Sequence, residues 1–67
     1  MIKILFILLL PNGELMLKPH YFLKPITVHE CWTFGENYRE KNTTYNNKRN
    51  VHYLNNTKIL FNGFICE

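Results

Sequence analysis

The residues in this sequence whose types could carry chemistry are two cysteines and three histidines. Cys31 and Cys66 lie too far apart to form the Cys-x-x-Cys motif of redox enzymes. His29 and Cys31 are two residues apart in a predicted helix, so their side chains point about 200° away from each other and cannot share one metal ion. Thr33 interrupts the His-Glu-x-x-His metalloprotease pattern that His29 begins. Cys31, Cys66 and His52 are the remaining metal-binding alternative.

Catalysis by a cysteine nucleophile is not indicated, because no nucleophile elbow and no glycine-rich oxyanion hole accompanies Cys31. The chain is therefore predicted not to be an enzyme, with no catalytic residue, no cofactor and no metal ion. A disulfide is the structural use of the two cysteines. Joining Cys31 to Cys66 would close a loop of about 36 residues and stabilise the fold by roughly 3.5–4 kcal/mol.

The length of the chain makes such a crosslink valuable. Sixty-seven residues allow one small domain, spanning 1–67, whose core alone barely offsets the entropy lost on folding. We therefore predict the disulfide, with two reduced structural thiols as the alternative.

A β-hairpin is predicted at the N-terminus, with strands at about 2–10 and 14–22. Pro11, Asn12 and Gly13 suit the successive positions of a three-residue hairpin loop, and two apolar runs flank them. This loop sets the register, so Leu9 is expected opposite Leu15. Prolines later in the second strand predict that it lies at an edge of the sheet.

An amphipathic helix is predicted at about 28–41. Thr27 and Glu30 match the capping box that starts helices. At 100° per residue, one stripe of the helix is apolar and is expected to pack on the sheet. The stripe consists of Val28, Cys31, Phe34, Gly35 and Tyr38.

A second hairpin is predicted after a polar loop at 42–50, with strands at about 50–54 and 58–66. A three-residue turn at 55–57 would place Tyr53 on the same face as Phe61. A bulge at Asn62-Gly63 would keep Phe61, Phe64 and Cys66 on one face.

Together these elements predict an α+β fold, a four-stranded antiparallel sheet in the order ββαββ with one helix packed on one face. Cys66 in the last strand would then point towards Cys31 in the helix. The opposite sheet face would stay uncovered and unusually apolar, and cations surround it. The candidate interface on that face consists of Phe6, Leu8, Met16, His20, Leu54 and Leu60.

An uncovered apolar face favours a small disulfide-stabilised module that binds protein. Its partner would be a second copy or a larger assembly in which the chain is an accessory subunit. The alternative is weak, sequence-tolerant binding of nucleic acid, because basic and aromatic residues alternate after the helix and the formal charge is +3. The residues for that alternative are Lys41, Tyr45, Lys48, Arg49, Tyr53 and Lys58.

A third alternative is a small exported factor, because Lys3 followed by the apolar run 4–10 resembles a short signal sequence. No small-x-small cleavage site follows, and about nine residues of helix are too short to span a bilayer. The disulfide favours an oxidising compartment, whereas the missing cleavage site favours the cytoplasm. The missing Ala and the excess of Asn, Lys, Ile, Phe and Tyr are typical of AT-rich coding and indicate no function.

Overall fold

One helix lies across one face of a single antiparallel sheet, in a two-layer α+β fold. The computed structural model describes residues 1–67. The elements are β1 (Lys3–Leu9), β2 (Leu15–Tyr21), α1 (Val28–Asn42), β3 (Thr43–Asn46), β4 (Val51–Leu54) and β5 (Leu60–Cys66). The strands lie in the order β2-β1-β5-β4-β3. The predicted class is confirmed, but the sheet has five strands rather than four.

The additional strand is β3, which occupies the start of the polar stretch that was predicted to be a loop. It begins where α1 ends and pairs with β4. The side-chain oxygen of Asn46 accepts hydrogen bonds from the backbone N–H groups of Lys48 and Arg49 and closes the turn between these strands. Thr and Tyr in β3 favour strands, a signal that the surrounding Asn residues obscure.

The first hairpin has the predicted loop and register, with Leu9 opposite Leu15. Inside the loop the N–H of Gly13 donates to the carbonyl of Leu10 at 2.9 Å. Gly13 has a φ of 90°, which only glycine adopts without steric cost.

The apolar run that resembles a signal sequence forms β1. It provides Ile4, Phe6 and Leu8, which are three of the five residues in the buried hydrophobic cluster. Its backbone pairs with β2 on one side and with β5 on the other. Cleavage after residue 10 would therefore remove most of the core from this fold.

The helix begins at the predicted capping box. The Thr27 hydroxyl accepts a hydrogen bond from the Glu30 N–H at 3.1 Å, and the Glu30 carboxylate accepts one from the Thr27 N–H at 3.0 Å. The hydrogen bond from the Thr27 backbone, followed by the one with its side chain, lowers the pKa of Glu30 below its ordinary value. In the predicted apolar stripe, Cys31 and Gly35 are buried while Val28 is exposed.

The predicted bulge is present in β5. Ile7 pairs with Gly63 and Leu8 pairs with Phe61, so Asn62 is the extra residue. The bulge keeps three residues on the side that faces the helix: Phe61, Phe64 and Cys66.

The connection between β4 and β5 differs from the prediction by one residue. The N–H of Leu54 donates to the carbonyl of Ile59, so the turn contains four residues. His52 therefore pairs with Phe61, and Tyr53 lies on the other face. The prediction that Tyr53 shares the face of Phe61 is wrong, because a shift of one residue reverses every side chain of a strand.

The helix covers the sheet face that was predicted to be uncovered. The predicted disulfide is present, with 6.2 Å between the Cα atoms of Cys31 and Cys66. Cys66 lies opposite Ile4, so the disulfide holds α1 above Ile4 and its same-face neighbours. Phe6 and Leu8 are only 3% and 1% exposed, and their assignment to an interface is wrong.

Candidate interaction surface

The sheet face opposite the helix is apolar over most of its area. We call it the open face. It collects the alternate residues of β1 and β2 and their same-face neighbours on β5. Its apolar members are Leu5, Ile7, Leu9, Leu15, Leu17, Tyr21, Leu60 and Ile65.

Four of these side chains are largely exposed to solvent. Leu15 is 66% exposed, Leu17 55%, Tyr21 63% and Ile65 45%. Together they present on the order of 400 Å² of mainly apolar surface, which is as large as the biggest patch on a typical monomer. No other element of the chain covers them.

The predicted interface residues are divided by this arrangement. Leu60 lies on the open face, opposite Leu9. Met16 and His20 lie on the helix-facing side of β2, where His20 stacks on Phe34 with 4.9 Å between ring centroids. Leu54 packs against the buried cluster. These last three residues are therefore not part of the open face.

Sequence reasoning could not choose between the two faces because β1 is apolar on both. Alternating Ile, Leu and Phe residues give either set of side chains the composition of a core. The pairing of Cys66 with Ile4 determines which face of the sheet the helix covers, and this pairing depends on the order of the strands in the sheet. The neighbouring strand β2 favours the wrong face, since its apolar residues Leu15 and Leu17 stand on the open side and Lys18 stands on the side that faces the helix.

The exposed edge of β2 is poorly suited to adding another strand. The Leu10 N–H donates to the Glu14 carbonyl and the Phe22 N–H donates to the Ile2 carbonyl. Because inward and outward backbone groups alternate, Pro19 occupies a position that points away from β1. Pro has no N–H to donate, and it is a common device that keeps sheet edges from pairing. The open face, rather than this edge, is the surface available for contact.

The two ends of the open face carry different charges. At one end, Lys3 pairs with Glu67 at 3.3 Å and its ammonium lies 5.9 Å from the ring centroid of Tyr21. At the other end, Arg49 and Lys58 line a cleft of about 620 Å³, and neither forms an ion pair. No carboxylate lines this cleft.

The cleft has an apolar floor and one oriented cation. Leu9 and Leu60 form part of the floor. A guanidinium N–H of Arg49 donates to the Tyr53 hydroxyl at 2.7 Å, which holds the side chain near the sheet. The other N–H groups of Arg49 remain available for an anion.

Most of the residues predicted for nucleic-acid binding line two adjoining recesses, which share Tyr53. Arg49, Tyr53 and Lys58 line the cleft. Tyr45 packs against His52 on the opposite face, with 5.0 Å between ring centroids. Lys48 lines the second recess together with Tyr45 and Tyr53, whereas Lys41 lies apart in the last turn of α1.

The residues first considered for chemistry are separated or already bonded. Cys31 and Cys66 are joined to each other, which removes both thiols from the candidate metal set. The Nδ1 atom of His52 lies 3.2 Å from the Thr43 hydroxyl. No three His, Cys, Asp or Glu side chains come together in the structure. The helix is too short and too polar to cross a membrane.

Comparison with known protein families, with characterised proteins and with solved structures finds no match to this chain. The features that bear on function are therefore those of the surface of a small disulfide-linked α+β domain with one exposed apolar sheet face.

Proposed function

We propose that this protein is a small interaction module that associates with protein through the open face. The observation that carries the proposal is the set of four largely exposed apolar side chains on one side of the sheet. A sheet with one solvated face normally alternates apolar and polar residues. Leu15 and Leu17 break this rule on the solvent side of β2, where burial against a partner would stabilise the complex.

The disulfide supports this function by holding the helix against the opposite side of the sheet without help from a larger core. Cys31 is fully buried and ties the helix to β5. The helix therefore stays on one face, and the opposite face remains free for a partner. Self-association is the simplest form of this proposal, and attachment to a larger assembly uses the same face.

Light scattering after size-exclusion chromatography, at micromolar to millimolar concentration, tests the proposal. Wild-type protein is expected to exceed the 8.1 kDa of one chain. Leu17→Lys places a charge among the exposed apolar side chains of the open face and is expected to give the mass of one chain. Asn37→Lys places the same charge on the exposed side of α1 and is expected to behave as wild type.

Circular dichroism of all three proteins checks that the folds match. A mass of 8.1 kDa for wild type throughout the concentration range would contradict self-association. Equal association by wild type and Leu17→Lys would show that another surface is responsible.

Nucleic-acid binding receives less support. Five of the six predicted residues line two adjoining recesses, but they supply only three cations: Lys48, Arg49 and Lys58. A groove that follows a single strand needs a longer run of cations and aromatic rings. A filter-binding titration with single strands is expected to show no salt-dependent retention.

A further inference from the structure

The charges at the ends of the open face are unequal, and this inequality restricts how two such faces can meet. Lys3 and Glu67 compensate each other at one end. At the other end Arg49 and Lys58 line a cleft that no carboxylate lines, and neither forms an ion pair. Two faces stacked with their strands parallel would bring two such cation pairs together, and like charges across an interface are costly.

The size of the face matches a standard protein interface. The Cα atoms extend over 37 × 22 × 16 Å, and the shortest dimension fits the two layers of helix and sheet. The rectangle that bounds the sheet side therefore measures on the order of 800 Å², so a contact that uses the whole face reaches the area that each partner of a standard-sized complex contributes. A second copy of this chain offers a surface of the same size and the same apolar character.

We propose that the partner of the open face is a second copy of this chain, packed face to face about a two-fold axis with the strands antiparallel. In this arrangement Glu67 of each copy lies over the Arg49–Lys58 cleft of the other. The inference rests on the proposed function, because it uses the open face as the contact. Aligned packing of two sheets about 10 Å apart is common in proteins, and two-fold symmetry is the usual form of homodimers.

The lateral position of the charged groups supports this orientation. Glu67 directly follows β5, and Lys58 lies two residues before the start of β5. Both charged residues therefore lie in line with the same strand, one at each end of the open face. A two-fold axis across the strands keeps β5 over β5 and exchanges their ends. Glu67 then meets Lys58 of the other copy without any sideways shift, and Arg49 lines the same cleft from the turn between β3 and β4.

The carboxylate of Glu67 has the capacity for this contact. Its Oε2 atom pairs with Lys3, so Oε1 remains free to accept. Arg49 is oriented to act as the donor. Its backbone N–H donates to the side chain of Asn46, and its guanidinium donates to the Tyr53 hydroxyl. A carboxylate on an oriented guanidinium gives a strong and directional pair.

Charge reversal at two residues tests the orientation. Arg49→Glu alone and Glu67→Arg alone are each expected to weaken association by about tenfold or more, because each places like charges together at both contacts. An equimolar mixture of the two variants is expected to associate nearly as well as wild type. In the mixed dimer, Glu at position 49 meets Arg at position 67, and the second contact keeps Arg49 with Glu67.

Sedimentation equilibrium measures the mass of each variant and of the mixture. Lys41→Glu is the control for Arg49→Glu, because it makes the same change of charge on α1, away from the open face. A mixed dimer of about twice 8.1 kDa, with mostly single chains in each separate variant, supports the inference. Association of each separate variant at wild-type strength would overturn the orientation while leaving the open face as the contact. A wild type that never exceeds one chain would instead contradict the proposed function, so the two failures are distinguishable.

Discussion

Gly35 shows at the scale of one residue why the helix can lie so close to the sheet. A Cβ atom at this position would lie 2.5 Å from the ring of Phe64, well inside van der Waals contact. The glycine weakens α1 by about 1 kcal/mol relative to alanine, but it allows the helix backbone to rest on an aromatic ring of β5.

Replacement of Gly35 by alanine is expected to destabilise the protein despite the better helix propensity. The displaced Phe64 ring costs about 1–3 kcal/mol, as overpacking usually does, which outweighs the gain in helix propensity. Urea unfolding followed by circular dichroism measures the difference. Asn37→Ala on the exposed side of α1 is the control, and it is expected to stabilise the protein slightly.

The interpretation is checked by combining Gly35→Ala with Phe64→Leu. The smaller side chain leaves room for the new methyl group, so Gly35→Ala is expected to cost less in the Phe64→Leu background. An equal cost in both backgrounds would show that the ring is not the obstacle.

At the scale of the elements, local signals predicted more than long-range ones. The hairpin loop at Gly13, the capping box at Thr27 and the bulge at Asn62 all follow from short patterns. The face of the sheet that α1 covers did not follow, because it depends on the pairing of β1 with β5 across the length of the chain. The turn after Leu54 was misjudged by one residue, and that error alone moved Tyr53 to the other face.

The helix start is predicted to lose stability in acid. The folded-state pKa of Glu30 lies below its ordinary value of 4.5 because of its hydrogen bonds to Thr27. A carboxyl group with a lowered pKa stabilises the fold above its unfolded pKa and loses this effect as pH falls through its folded pKa. Stability is therefore expected to decline below about pH 4.5 through this group.

Unfolding midpoints of wild type and Glu30→Gln from pH 7 to pH 2 test this prediction. The gap between the unfolding midpoints of the two proteins is expected to become smaller in acid, because glutamine does not titrate. Glu40→Gln removes an exposed carboxylate at the other end of α1 and is expected to leave the acid dependence of the cap intact. A gap of constant size at all pH values would contradict the role of the Glu30 charge.

At the scale of the whole molecule, stability and function draw on the same small core. Only five apolar residues form the buried cluster, and the remaining large apolar side chains of β2 face solvent. Domains below about 70–80 residues rarely obtain more than about 3–5 kcal/mol from the core alone. A sheet face left open for a partner reduces the burial available to one copy still further.

The disulfide is therefore expected to decide whether a single chain stays folded. Replacing both Cys31 and Cys66 by alanine removes a crosslink worth roughly 3.5–4 kcal/mol, so most of the chain should be unfolded at low concentration. Far-UV circular dichroism during urea titration measures this loss.

The crosslink itself is checked by mass: without reductant, the intact wild-type chain should have two hydrogens fewer than the reduced chain. Reductant is expected to shift the wild-type midpoint towards that of the alanine variant and to leave the variant itself unchanged. An unchanged midpoint in reduced wild type would mean that the five-residue core suffices without the bond. Because association buries the open face, higher protein concentration should recover part of the lost structure through mass action.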